Sequence, residues 1–125
     1  MRRWAEAFRR FGLAAAGALA LAAGGAGAAE ATSATLRALD KVTTRITDID
    51  LKVGEAATFG ALTIRLERCV VEAGEGAKAR LVIDYRTAQG ETKRVFDGWM
   101  LSEMPALNPL EHPTYDVWVA SCSTS

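Results

Sequence analysis

The chain has 125 residues, of which 50% are hydrophobic and 24% charged, with 15 basic and 15 acidic side chains. Four arginines and one glutamate fall in the first 28 residues, so the remaining 97 carry 11 basic and 14 acidic residues, a net charge of −3. That is room for one small domain. It excludes a two-domain enzyme or a repeat array, and it lacks the basic excess that nucleic-acid binding requires.

Residues 1–10 hold Arg2, Arg3, Arg9 and Arg10, and the stretch from Phe11 to Ala23 is uncharged and rich in Ala and Leu. Gly24-Gly25-Ala26-Gly27-Ala28-Ala29 then supplies the small residues of a cleavage site, with the cut placed after Ala28. The apolar run of 13 residues is short against the ~20 needed to span a bilayer, which makes a retained anchor the weaker reading. Residues 1–28 therefore read as a signal peptide. The expected destination is the periplasm, with no membrane-spanning segment after cleavage. The Arg9-Arg10 pair leaves Sec and twin-arginine export both open.

Cys69 and Cys122 are the only cysteines. In a small exported domain such a pair is expected to form a disulfide, with two buried thiols as the alternative. Closing a loop of this length contributes about 4 kcal/mol in the chain-entropy picture.

Residues 29–40 are small and polar, with Leu36 and Leu39 three apart. They read as a flexible lead-in with one helical turn after Ser33. A single β domain is expected over 41–125. Val42, Thr44 and Ile46 share one face of a first strand. Ile49, Leu51 and Val53 take the opposite parity, which predicts a bulge or bend near Thr47-Asp48. Gly54-Glu55 is a turn. Leu62, Ile64 and Leu66 mark a half-buried strand running into Cys69, and Ala73 to Gly76 is a loop. A strand from Arg80 to Arg86 forms a hairpin across Gln89-Gly90 with Thr92–Leu101. A loop from Ser102 to Pro113 precedes a last strand, Thr114–Cys122. Five to seven short strands without a long helix predict an all-β fold, a small antiparallel sandwich or partly closed barrel.

The C-terminal half is more distinctive. It contains Phe96-Asp97-Gly98-Trp99-Met100-Leu101-Ser102, then Pro105-Ala106-Leu107, then Leu110-Glu111-His112-Pro113-Thr114-Tyr115-Asp116-Val117-Trp118 and Cys122. Together with Leu39-Asp40-Lys41-Val42, Phe59-Gly60 and Cys69, this order resembles the exported alphaproteobacterial family called domain of unknown function 2155. The likeness runs from Leu39 to Cys122. It departs at Thr114, where relatives often carry an aliphatic residue. The resemblance implies export and a compact domain, and it assigns no catalytic role to any residue.

His112 is the only histidine. Its side chain and that of Glu111 point to opposite sides of an extended segment, so the two make a poor acid–base pair. The plainer reading is a ring bonded to the loop backbone, with Pro113 holding the entry to the last strand extended. Trp99, Tyr115 and Trp118 are either core or a contact platform, and the two tryptophans are expected to pack across strands beside the disulfide. The Ser102–Pro113 loop carries Met104, Leu107 and Leu110, too apolar for a disordered linker. It either folds over one end of the domain or offers an apolar surface. Asp48, Asp50 and Glu55 read as a solvated strand face rather than a calcium loop. Arg65, Arg68, Arg80, Arg86, Lys93 and Arg94 read as a solvent face, with an anionic envelope polymer as the sharper alternative.

Candidate partner or ligand contacts are therefore Trp99, Met104, Leu107, Leu110, Glu111, His112, Tyr115 and Trp118, with no metal and no cofactor expected. The leading expectation is a non-enzymatic periplasmic binding or accessory module of the envelope, contacting an envelope protein or a periplasmic ligand. The alternatives are a small hydrolase acting through Glu111, His112 and Asp116, or a binder of envelope glycan or lipid in a barrel mouth.

Overall fold

A computed structural model describes residues 28–74, 76–110 and 112–124. The expected leader, apart from Ala28, and Glu111 lie outside the described residues. Among the described residues there is no helix. Eight strands run in order: β1 (Ala29–Glu30), β2 (Ser33–Asp40), β3 (Arg45–Lys52), β4 (Ala56–Phe59), β5 (Leu62–Glu72), β6 (Gly76–Arg86), β7 (Thr92–Leu101) and β8 (Tyr115–Ser123). One sheet has the order β1-β5-β6-β7, with β4 on another stretch of the β5 edge, and the second has the order β3-β2-β8. Their pairings are antiparallel. The two sheets remain separate, so the fold is a sandwich and not a barrel.

Period-two alternation builds the core. Leu62, Ile64 and Leu66 on β5, with Ala79, Leu81 and Ile83 on β6, face Ala34, Leu36 and Ala38 on β2 and Val117 and Val119 on β8. These side chains are essentially inaccessible to water, and the burial of their apolar surface is the main favourable term in folding. The alanines of β2 and β6 are small side chains in that core.

The chain crosses between sheets at Ala31-Thr32. Ala31 N–H donates to the Cys69 carbonyl in the first sheet (2.7 Å), and Thr32 N–H donates to the Ser123 carbonyl in the second (2.9 Å). The Cys69–Cys122 disulfide closes the same corner, joining Cα atoms 5.9 Å apart across a sequence separation of 53. It ties β5 to β8 and so fastens one sheet to the other.

Several expectations change. The lead-in over 29–40 is instead the short β1 and the central strand β2. Its core face is carried largely by alanine, whose weak hydropathy hid the period-two pattern behind the Leu36/Leu39 spacing. Lys41 to Thr44 is a hairpin turn rather than a strand, and the Asp40 carboxylate accepts from the Val42 and Thr43 N–H groups (2.9 and 3.3 Å). Thr44 takes a positive φ of 57° there. β3 is then one continuous strand, and the parity change near Thr47 reflects the turn. The register shifts lie elsewhere, at Thr35/Leu36, Leu66/Arg68 and Ile83/Asp84. β4 has no counterpart among the expected strands, and β6 starts earlier than expected.

Sheet widths differ, and this difference positions the loop. The first sheet is four strands across and the second three. β8 lies mainly against β6 and touches β7 less, so the second sheet covers β7 only in part and β7 overhangs it. The segment after β7 must cover its inner face.

Candidate functional site

The Ser102–Pro113 loop performs that covering, with four anchors. Ser102 N–H donates to the Ala77 carbonyl, and Ser102 Oγ accepts from Ala77 N–H, both at 2.9 Å. Asn108 Nδ2 donates to the Trp99 carbonyl at 2.8 Å. Ladder alternation explains that bond. The Ser102–Ala77 pairing turns the Met100 and Gly98 backbones toward β6, so the Trp99 backbone faces the open edge of β7. The asparagine amide thus occupies one edge acceptor, which blunts the edge against adventitious strand pairing. Gly98 lies beside it, where a Cβ would sit a tight 3.3 Å from Asn108 Nδ2 and the amide would have to shift slightly. Leu110, 2% exposed, drops into the core.

The fourth anchor is His112. Its Nδ1 accepts from the Thr114 N–H at 3.1 Å, which leaves the proton of the neutral ring on Nε2. The ring packs against Tyr85 (centroids 4.4 Å apart) and Tyr115 (5.5 Å), and Phe59 meets Tyr115 edge-on at 5.8 Å. The Tyr115 hydroxyl accepts from Ala61 N–H at 3.0 Å. Gly60, at a positive φ of 57°, has no room for a Cβ against that hydroxyl. Lys41 Nζ completes the end of the domain, donating to the His112 carbonyl (2.9 Å) and pairing with Asp116 (3.0 Å).

The residues singled out from the sequence therefore divide. Leu110 and Tyr115 (7% exposed) are core and cannot serve as free contacts. Their apolar bodies fill the sandwich, and the Tyr115 hydroxyl already has a partner. His112 is a packing and backbone-bonding residue. Asp116 belongs to Lys41, so no acid–base pair forms between Asp116 and His112. Glu111 lies outside the described residues. The two tryptophans do not meet: β7 and β8 belong to different sheets, and each indole lies on the outer face of its own sheet. The Arg68 guanidinium sits 5.4 Å over the Trp99 ring. Trp118 borders a shallow cleft of about 320 Å³ with Pro105, Ala106 and Pro109.

Met104 and Leu107 are the exception. They are 60% and 65% exposed, on a turn closed by the Leu107 N–H to Met104 carbonyl bond of 3.0 Å. With Leu101, Gly74, Lys78 and Glu103 they line an open depression of about 340 Å³. Lys78 and Leu101 also line a second groove of about 530 Å³ that reaches Trp99 and Val70. The two depressions form one surface. Nothing in the sequence separated Met104 and Leu107 from Leu110, because an irregular segment has no period to reveal which apolar residue points inward.

Three of the six basic residues read as a solvent face are held in ion pairs. Arg68 pairs with Glu30, Arg80 with Asp97 (2.8 Å) and Arg94 with Asp84 (3.0 Å). The Asp84 hydrogen bond pushes Arg94 further toward its charged form. On the other sheet, the hydrogen bond from Arg37 (2.9 Å) holds the Asp48 carboxyl below the usual carboxylate range. Thr35 Oγ1 donates to Asp50 at 2.6 Å, and Glu55 accepts from the Lys52 N–H at 3.0 Å. Among the described residues no three His, Cys, Asp or Glu side chains gather as a metal ion would require, and no helix is long and apolar enough to cross a membrane.

Comparison with known proteins adds a lineage. An uncharacterised protein of Rickettsia prowazekii (strain Madrid E) is 30% identical over 95 residues, covering 73% of this chain and 61% of the relative. The chain thus spans less than two thirds of that relative's length. No solved structure matches it. A family model described as an uncharacterised protein conserved in bacteria, DUF2155, matches residues 34–122, from the second residue of β2 to the cysteine on β8. The chain belongs to that family.

Proposed function

We propose that this chain is a non-enzymatic periplasmic protein, a binding or accessory module of the cell envelope that docks a partner protein through the outward part of its Ser102–Pro113 loop. One observation carries the reading. Met104 and Leu107 stand side by side in solvent on a loop otherwise fastened at Ser102, Asn108, Leu110 and His112. A pre-anchored apolar surface costs little conformational entropy to bind, and large exposed apolar groups held in place mark interaction sites. The export expectation is supported by the composition of residues 1–28 and by the Cys69–Cys122 bond, since disulfides persist in oxidising compartments.

The hydrolase alternative finds less support. The Nδ1 of His112 is committed to the Thr114 N–H, and Asp116 is committed to Lys41. The reading of a ligand in a barrel mouth loses its cavity in an open sandwich.

The test is site-specific photo-crosslinking in the bacterium, with the reactive residue placed at Leu107 and, as a control, at Val42 on the β2–β3 turn. A recurrent envelope-protein adduct from position 107 and not from 42 is the expected result. No adduct, or the same adducts from both positions, would remove the loop from the interface. Leu110 is unsuitable for this purpose because changing it breaks the core.

A further inference from the structure

We propose that Met104 is a sulfoxidation site, and that its oxidation by hydroperoxides withdraws the apolar loop surface from its partner. The chain holds three methionines. Met1 lies outside the described residues. Met100, on the inner face of β7, is 3% exposed and part of the core, whereas Met104, four residues on, is 60% exposed. Thioether oxidation follows access, so the two form a matched pair within one chain.

In the reaction, a lone pair on the Met104 sulfur attacks the distal oxygen of a hydroperoxide. The S–O bond forms as the O–O bond breaks, and the departing oxygen takes up the proton to leave as water or an alcohol. Sulfur loses two electrons and the peroxide gains them, so no further reductant or oxidant is required.

The position gives the chemistry a consequence. Met104 and Leu107, with Leu101, are the apolar part of a depression that Lys78 and Glu103 also line. A sulfoxide is a strong hydrogen-bond acceptor with a large dipole. At this spot it replaces an apolar contact by a hydrated one, while the core, which contains Met100, is left intact. Leucine would present similar apolar area without the oxidisable sulfur, so the side chain's packing role and its redox role separate experimentally. The oxidation itself rests on exposure alone. Its effect on docking rests on the proposed partner contact.

The experiment treats the folded, disulfide-bonded protein with hydrogen peroxide and follows both methionines by mass spectrometry. No lysine or arginine follows Arg94, so both fall in one tryptic peptide, and fragment ions between them assign the oxygen. Met104 should gain oxygen about tenfold faster than Met100. Equal rates, or Met100 first, would overturn the site. A second arm measures crosslinking to the partner found from position 107. Peroxide should reduce it severalfold for the wild type and leave Met104→Leu unaffected, while Met104→Gln should be low with or without peroxide. If Met104 oxidises and crosslinking does not change, the docking consequence is overturned while the site stands. If the untreated wild type yields no partner, the partner reading fails, and the rate comparison alone decides the site.

Discussion

The two halves of the Ser102–Pro113 loop use similar residues for opposite ends. From Asn108 onward three side chains have structural work. Asn108 caps the β7 edge, Leu110 enters the core, and His112 packs on two tyrosines while bonding Thr114. Before Asn108, Met104 and Leu107 face water. Met104, Leu107 and Leu110 are three residues apart, of similar size and equally apolar, so hydropathy cannot separate them. What separates them is the sheet mismatch. The inner face of β7 overhangs the three-stranded sheet, and the Leu110 half supplies what a fourth strand would have buried. The Met104 half lies beyond the overhang and leaves Met104 and Leu107 60% and 65% exposed.

The strongest way to break that contrast is Leu110→Asp. A carboxylate placed at a position 2% exposed, without a partner, should cost more than about 4 kcal/mol and leave the domain largely unfolded in urea titration. A folded, normally stable variant would mean that the loop does not seal the sandwich. A smaller effect is expected from Tyr115→Phe, which keeps the ring and removes only the oxygen that accepts from Ala61 N–H. Leaving that partly buried donor unpaired should cost about 1–2 kcal/mol in denaturant unfolding. No change would show that water replaces the hydroxyl, and that the His112 end is held by ring packing alone.

Much of the sandwich could be read from residue alternation, and the failures have specific causes. β5, β7 and the hairpin across Gly90 followed from period-two runs bounded by glycine. β2 escapes the pattern because its inward residues at 34 and 38 are alanines, so the two leucines, one inward and one outward, dominate it. The outward placement of Trp99 and Trp118 depended on which strands share a sheet, and strand pairing is a long-range fact that local spacing does not encode. The disulfide was legible because only two cysteines exist. The division of the loop was not, because irregular backbone has no repeat and its burial is decided by the overhang of a strand already placed.

Leu107→Asp is the smallest expected effect and the most informative one beside Leu110→Asp. It is the same substitution on the same loop, three residues earlier. At 65% exposure the carboxylate stays hydrated, and the change should fall within about 0.5 kcal/mol of the wild type, with an unaltered urea dependence. Measured together, the two variants decide whether burial or residue type governs this loop. If Leu107→Asp costs as much as Leu110→Asp, the outward half is not outward, and both the docking surface and the accessibility of Met104 lose their basis. If it costs nothing, the exposed leucine contributes nothing to folding. Its apolar side chain is then free for the proposed docking contact, which the crosslinking from position 107 tests.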